Sequence, residues 1–414
     1  MSRTGPSVAE AIGRSRLLLA CYLVVAVLLV AISAVRFQSP EQFGLVKELT
    51  DFDAFHIAGR LAGEGRVADA YDAAAMLKVQ AEASPIASFM PWTYPPPFTL
   101  LMDSLARLPV GAAYALFALA SFGFYLAVLR RIAGEWLLPV LIALLPIVML
   151  NLRTGQNGFL VAGLIGAFLL AWRDRRAVAG LPLGLLVIKP HLAVGVGLLA
   201  LFGRRWDVVG IAAAVVLAAA GAATLAYGVG VWADFLGAVR EAGAFLAGGY
   251  YPMYRMTSAY AALLTFGVPA EAAMIGHAAI ALAAVLALAW AALARLGFAA
   301  RAALICTLSL FVSPYSYDYD LAILGIALAF VLPDLAARTS GRALAGLLAL
   351  AWATGGYGMI VNAMQPEAGA AGQAGAGGGL ALAGLLLVTL CVATGWLLHR
   401  PRAGASDALA PQGA

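Results

Sequence analysis

Two short stretches hold carboxylates placed to do chemistry at the edge of apolar runs. The first is Asp51-Phe52-Asp53-Ala54-Phe55-His56, and the second is Tyr315-Ser316-Tyr317-Asp318-Tyr319-Asp320. A carboxylate at the mouth of a cavity can act as a general base toward a hydroxyl. The same residues can simply cap helices, because Asp accepts hydrogen bonds from first-turn amides and favours the positive end of the helix dipole. For Asp51 and Asp53 the two readings are compatible, since a helix N-terminus also fixes where the carboxylate points. Lys189 is a third candidate, set inside a mostly apolar stretch. An isolated charge in an apolar span is costly and marks a functional position by default, and a lysine facing a cavity suits a phosphate as a point charge.

Weaker signals surround these. Gly155-Gln156-Asn157 closes a short hairpin, and Gly and Asn are also ordinary turn formers. Trp92, Tyr94 and the Pro95-Pro96-Pro97 run form an aromatic belt with a stiff lead into the next helix, or part of a site. Tyr250-Tyr251-Pro252-Met253-Tyr254-Arg255 offers aromatics and one cation for contact with sugar or lipid.

The elements that must position these residues are helices in a bilayer. The chain is 63% hydrophobic and 11% charged, where a soluble domain carries about 25% charged residues. The net charge of +5 does not indicate nucleic acid, because the basic residues sit in short clusters between apolar runs, as membrane orientation requires. Cys21, Cys306 and Cys391 are far apart and the four histidines are scattered, so neither a disulfide framework nor a metal cage is expected. No cofactor is implied either, since no glycine-rich fingerprint opens a nucleotide-binding unit.

Leu17 to about Val35 reads as an uncleaved first span, long enough by the measure of about 20 residues per crossing. Further spans are expected near 111–129, 136–152, 158–172, 207–227, 271–293, 301–313, 320–335, 342–362 and 380–398. Arg130-Arg131, Arg173 to Arg176, Arg204-Arg205, Arg295 with Arg301, Arg338 with Arg342, and His399 to Arg402 should all be cytoplasmic. Residues 177–203 satisfy that only as a broken pair of short helices meeting at Lys189-Pro190, because proline removes a donor and disfavours helix before it. The expectation is an all-α polytopic transmembrane bundle of about 10–12 helices, with 1–398 as a single domain and 399–414 as a disordered cytoplasmic tail. Gly369 to Gly379 reads as a flexible connector. Both termini are then cytoplasmic. The loops 37–97 and 232–270, the 151–158 turn, the Lys189-Pro190 apex and 313–320 share the outer face. The 37–97 loop alone holds eight acidic residues against four basic ones.

Taken together, these elements resemble family 87 glycosyltransferases. The resemblance runs from about Asp51 to Asp320. It rests on Asp51-Phe52 with Phe55 and the following Gly63 to Asp72 segment, Trp92-Thr93-Tyr94-Pro95-Pro96, Gly155-Gln156-Asn157-Gly158, Lys189-Pro190, Gly203-Arg204-Arg205-Trp206, and Pro314-Tyr315 with Asp318-Tyr319-Asp320-Leu321. It implies a GT-C architecture in a bacterial-type plasma membrane. The implied activity is transfer of a hexose, mannose by the family's habit, from a polyprenyl-phosphate donor to a glycan or glycolipid acceptor on the outer face. Asp51 matches the family's acidic residue in the first outer loop, with Asp53 two residues on as its rival for the role of base. Lys189, Arg153 and Arg255 are expected to hold the donor phosphate. Tyr94, Gln156, Asn157, His191, Tyr315, Asp318 and Asp320 are expected to contact substrate, with no metal. A transporter or flippase for a lipid-linked sugar or other anion is the alternative, since broken helices with a buried charge occur there too.

Overall fold

The computed structural model describes residues 15–364 and 379–401. The connector expected at 369–379, all but its last residue, and the tail from 402 onward lie outside the described residues. Within them the chain is all-α: no strand forms, and an isolated antiparallel bridge joins Met256 to Tyr317.

The first span, α1 (Arg16–Gln38), leads into a long loop carrying four helices of its own: α2 (Asp51–Gly63), α3 (Val67–Tyr71), α4 (Ala73–Ala83) and α5 (Pro96–Ala106). The bundle continues through α6 (Val110–Ala133), α7 (Leu137–Ala143), α8 (Leu145–Thr154), α9 (Gly158–Arg173), α10 (Gly180–Leu185) and α11 (Val194–Phe202). Then come α12 (Trp206–Tyr227), α13 (Val231–Ala247), α14 (Ala259–Thr265), α15 (Ala270–Leu293), α16 (Phe298–Ser309), α17 (Ala322–Ala336), α18 (Gly341–Met364) and α19 (Ala383–Leu398). Among the described residues, six helical stretches are long and apolar enough to cross a membrane, at 16–38, 110–143, 206–227, 270–293, 318–336 and 341–364, and five shorter apolar stretches of 10–17 residues accompany them. The chain is a multi-pass helical membrane protein.

Burial ranks the spans. The 318–336 stretch is 83% buried within the protein, whereas α1 and α12 are 17% buried. An apolar helix with most of its surface uncovered has lipid as its neighbour, so α17 is the central column and α1 and α12 are outer staves. The helix directions bring Arg130-Arg131, Arg173, Arg205, Arg338 and Arg400 to one end of the bundle. There Arg205 Nη2 donates to the Arg175 carbonyl (3.1 Å) and Arg338 Nη1 to the Arg400 carbonyl (2.8 Å).

The long loop is a packed cap at the opposite end. Its α2 and α5 cross at Gly59, where an added Cβ would collide with the Met102 carbonyl. This contact explains the glycine in an otherwise good helical sequence. On the adjoining face of α2, Phe55 meets Trp92, Tyr94 and Phe98 edge-on, with centroids at 5.7, 5.3 and 5.3 Å. Trp92 is 2% exposed, so it belongs to this cluster and not to an interfacial belt. Its Nε1 donates to Thr99 Oγ1 (2.9 Å), while Tyr71 Oη donates to the Tyr94 carbonyl (2.9 Å). Pro96 sits in the first turn of α5, where its missing N–H costs nothing.

The Gly59 crossing yields a stability prediction. Gly59→Ala should lower the melting temperature of the detergent-purified protein, by the equivalent of about 1–3 kcal/mol expected for overpacking. Gly237→Ala on α13, which has open space around it, should leave it unchanged or raise it slightly. Equal effects at the two positions would mean that α2 and α5 do not meet at Gly59.

Candidate active site

A cavity of about 680 Å³ lies at the end of the bundle away from the arginine clusters. Its walls come from the ends of α1, α2, α8 and α18, and from the 89–95, 188–191, 251–255 and 313–319 segments. The volume falls within the range of small-molecule sites, about 300–1,000 Å³.

The two carboxylates of α2 have different fates. Asp53 is 4% exposed. Its Oδ2 accepts from the Thr50 backbone N–H (2.9 Å) and its Oδ1 from Lys47 Nζ (2.6 Å), while Lys47 also donates to the Phe37 carbonyl (2.7 Å). Burial pushes the Asp53 carboxyl above its ordinary range, and Lys47 pulls it back. Asp51 lines the cavity, half-buried, and its carboxylate accepts no hydrogen bond from the described residues. It lies near enough to Tyr94, Arg255, Tyr317, Asp318 and Tyr319 to act on them electrostatically. Lys47 and the Thr50 amide hold the Asp53 carboxylate, whereas that of Asp51 stands on the wall unpaired among the described residues.

The carboxylates of the second stretch are paired. Arg255 grips Asp318 with two hydrogen bonds, Nε to Oδ2 and Nη2 to Oδ1, both 3.1 Å. The Met256–Tyr317 bridge and the Thr257 N–H donated to the Ser316 carbonyl (2.8 Å) hold the two loops in register for that grip. Gly358 of α18 packs against it so closely that an added Cβ would stand 2.5 Å from Asp318 Oδ2. Lys189 donates to Asp320 Oδ1 at 2.6 Å, with the lysine 6% and the aspartate 1% exposed. The ammonium also lies over the rings of Tyr319 (4.5 Å) and Tyr94 (5.9 Å). Lys189, expected from sequence as an uncompensated charge, is therefore neutralised by a carboxylate 131 residues away.

The glycine turn positions this pair. Gly155 ends α8 in the left-handed conformation (φ +68°). At Gly158 an added Cβ would collide with the Tyr319 carbonyl, which also accepts from Asn151 Nδ2 (3.1 Å). Tyr94 Oη donates to Gln156 Oε1 (3.5 Å). Burial first, and then the Asp320 and Asp51 carboxylates, hold the Tyr94 phenol well above its ordinary pKa, which keeps it a proton donor. Among the other residues expected to contact substrate, Gln156, His191, Tyr315 and Asp318 line the cavity. The His191 Nε2 and Tyr315 Oη atoms are buried without a hydrogen-bond partner among the described residues. Asn157 and Asp320 stand behind the wall: Asn157 is fully buried beside Tyr94, and the carboxylate of Asp320 is engaged by Lys189 and the Tyr317 N–H. Among the described residues, no three His, Cys, Asp or Glu side chains converge as a metal ion would need.

The family model for glycosyltransferase family 87 matches residues 92–314, more than half of the chain. The chain belongs to glycosyltransferase family 87. Among curated proteins and among solved structures no significant match was found. The matched segment of this glycosyltransferase starts at Trp92 and stops at Pro314, so it contains Tyr94, Gln156, Lys189 and Arg255 but neither Asp51 nor Asp318 and Asp320. The fold returns those outlying carboxylates to the matched residues.

Sequence reasoning missed Lys47, whose tie to Asp53 separates the two α2 carboxylates, and Arg36, which lines the cavity from the last turn of α1. An arginine at the end of an apolar span away from the other clusters was the available signal.

The buried pair in this glycosyltransferase gives a second prediction. Lys189→Met should destabilise by about 3–5 kcal/mol, because it strands Asp320. Adding Asp320→Asn should restore most of the lost melting temperature. If the double variant is no more stable than the single one, Lys189 and Asp320 do not compensate each other.

Proposed function

We propose that this glycosyltransferase moves a hexose, mannose, from a polyprenyl-phosphate donor to a hydroxyl of a glycan or glycolipid at the outer face of a bacterial-type plasma membrane, working as a single domain over 1–398. The observation that carries the proposal is Asp51, a half-buried carboxylate that is unpaired among the described residues, on a cavity whose fully buried carboxylates are each tied to a cation. In the proposed step Asp51 takes the acceptor's proton. The acceptor oxygen then bonds to the anomeric carbon while the bond from that carbon to the phosphate oxygen breaks, and polyprenyl phosphate departs.

A lipid-linked donor suits a cavity formed where spans end, and the 680 Å³ volume has room for one sugar with its phosphate. Arg153, on the wall without an ion pair, meets the phosphate directly. Lys189 and Arg255, each paired with an aspartate, shape the wall where charge grows on the leaving group and do not meet it as free cations. Tyr94, Gln156, His191, Tyr315 and Asp318 offer hydroxyl partners, and Asn157 and Asp320 fix the wall behind them. The outer-face assignment follows from the arginine clusters at the opposite end, which the positive-inside tendency places in the cytoplasm, with both termini.

Activity tests the base. With polyprenyl-phosphate mannose and a membrane-extract acceptor, Asp51→Asn should transfer at least about 10²-fold more slowly than wild type, the lower range for a lost general base, with an unchanged melting temperature. Asp53→Asn should lose stability along with part of its activity. An active Asp51→Asn would remove the base from this position. Transfer from nucleotide sugars alone, or passage of intact donor through liposomes with no glycosidic bond formed, would overturn the lipid-donor reading.

Orientation is tested separately. In a cysteine-free background, single cysteines at Glu82 and Arg131, both exposed, should react with an impermeant maleimide from opposite sides of the membrane, Glu82 from outside. Labelling of both from one side would refute the topology.

A further inference from the structure

The pairs Lys189–Asp320, Arg255–Asp318 and Lys47–Asp53 neutralise three of the cations at the cavity. Two guanidinium groups remain on the wall, Arg36 and Arg153. Neither makes an ion pair or a side-chain hydrogen bond among the described residues. Arg36 stands in the last turn of α1 and Arg153 in the last turn of α8, and the two helices pack together. A helix C-terminus tolerates a cation, but that alone does not bring two of them to one cavity. Glu48, the other unpaired acid on this wall besides Asp51, is exposed at the loop side.

Inward from the arginines the wall turns apolar, through Leu29 on α1, Met149 and Leu150 on α8, and Met359 on α18. Leu29 lies two turns before Arg36, roughly 10 Å along the helix axis, well inside a stretch apolar enough to span. Two unpaired positive charges at the ends of packed helices, Arg36 half-buried and Arg153 exposed, with an apolar strip running from them along the cavity wall, match the anatomy of a lipid phosphate.

We propose that Arg36 and Arg153 together grip the donor phosphate, with the prenyl chain lying along Leu29, Met149 and Met359. This rests on the lipid-donor reading above and adds to Arg153 a second direct phosphate contact, Arg36, from outside the family match. The donor is a phosphodiester with one negative charge, and the phosphomonoester that leaves carries up to two. One guanidinium balances the bound donor, and the second acquires its partner as the glycosidic bond breaks, which is the differential stabilisation that accelerates a step.

The test is binding of polyprenyl monophosphate, polyprenyl-phosphate mannose and phosphate-free polyprenol to purified protein in nanodiscs. Arg36→Gln and Arg153→Gln should each weaken the monophosphate roughly ten- to a hundred-fold, the range of one charge-assisted hydrogen bond, and the phosphodiester less. Polyprenol binding should not change. Arg36→Lys should keep part of the affinity, since it retains the charge without the fork. Arg131→Gln, at the opposite end of the bundle, controls for loss of a positive charge, and unchanged melting temperatures confirm folding. Unchanged monophosphate affinity in the Arg36→Gln/Arg153→Gln double variant overturns the proposal, as does an equal loss for polyprenol. If that double variant also turns over normally while Asp51→Asn is inactive, the lipid-donor reading stands and the phosphate sits elsewhere. A wild type that binds no polyprenyl phosphate removes both.

Discussion

The ion pair between Lys189 and Asp320 is the constraint on which the cavity depends. Two opposite charges at 2.6 Å, each under a tenth exposed, are tolerable in an apolar bundle only together, because either one alone would carry a desolvation cost of several kcal/mol. Their meeting demands that helix stop at Lys189, whose backbone is non-helical (φ −144°, ψ 71°) before Pro190, so that the side chain reaches the turn that opens α17. It also demands that the start of α9 come against the Tyr319 backbone, which only a glycine at position 158 permits. The Gly155-Gln156-Asn157-Gly158 turn and the Lys189-Pro190 break are thus two halves of one packing solution around the entry to the central column.

The same economy of charge governs the rest of the wall. Asp318 is held by Arg255 across a loop pairing that needs the bare backbone of Gly358 beside it. Asp53 is held by Lys47 and by the first turn of its own helix. A wall built from neutralised pairs leaves its few unpaired groups conspicuous among the described residues: Asp51, the exposed Glu48, Arg36 and Arg153. Preorganised charge of this kind acts on a reacting group without reorganising during the step. The aromatic cluster of Phe55, Trp92, Tyr94 and Phe98 keeps α2 in place, and so keeps Asp51 at the mouth.

What the residues alone determined was whatever depends on near neighbours. Composition and run length made the chain a helical membrane protein, because bilayer thickness sets how many apolar residues a crossing needs. Proline at 190 marked the helix break through its own covalent structure. Asp51, Lys189 and Asp318 were visible as candidates because charge beside an apolar run is costly wherever the chain folds. Which of Asp51 and Asp53, two residues apart on one helix, is left unpaired was not visible. It turned on Lys47 and the Thr50 amide, which engage one carboxylate and leave the other. The partner of Lys189 was hidden behind 131 residues and that of Arg255 behind 63. Arg36 went unnoticed in the sequence; the packing of α1 on α8 is what brings it to the same cavity as Arg153. Those assignments belong to the tertiary structure, because the energy of a buried charge is set by what lies within a few ångströms in space, and sequence order does not record that distance.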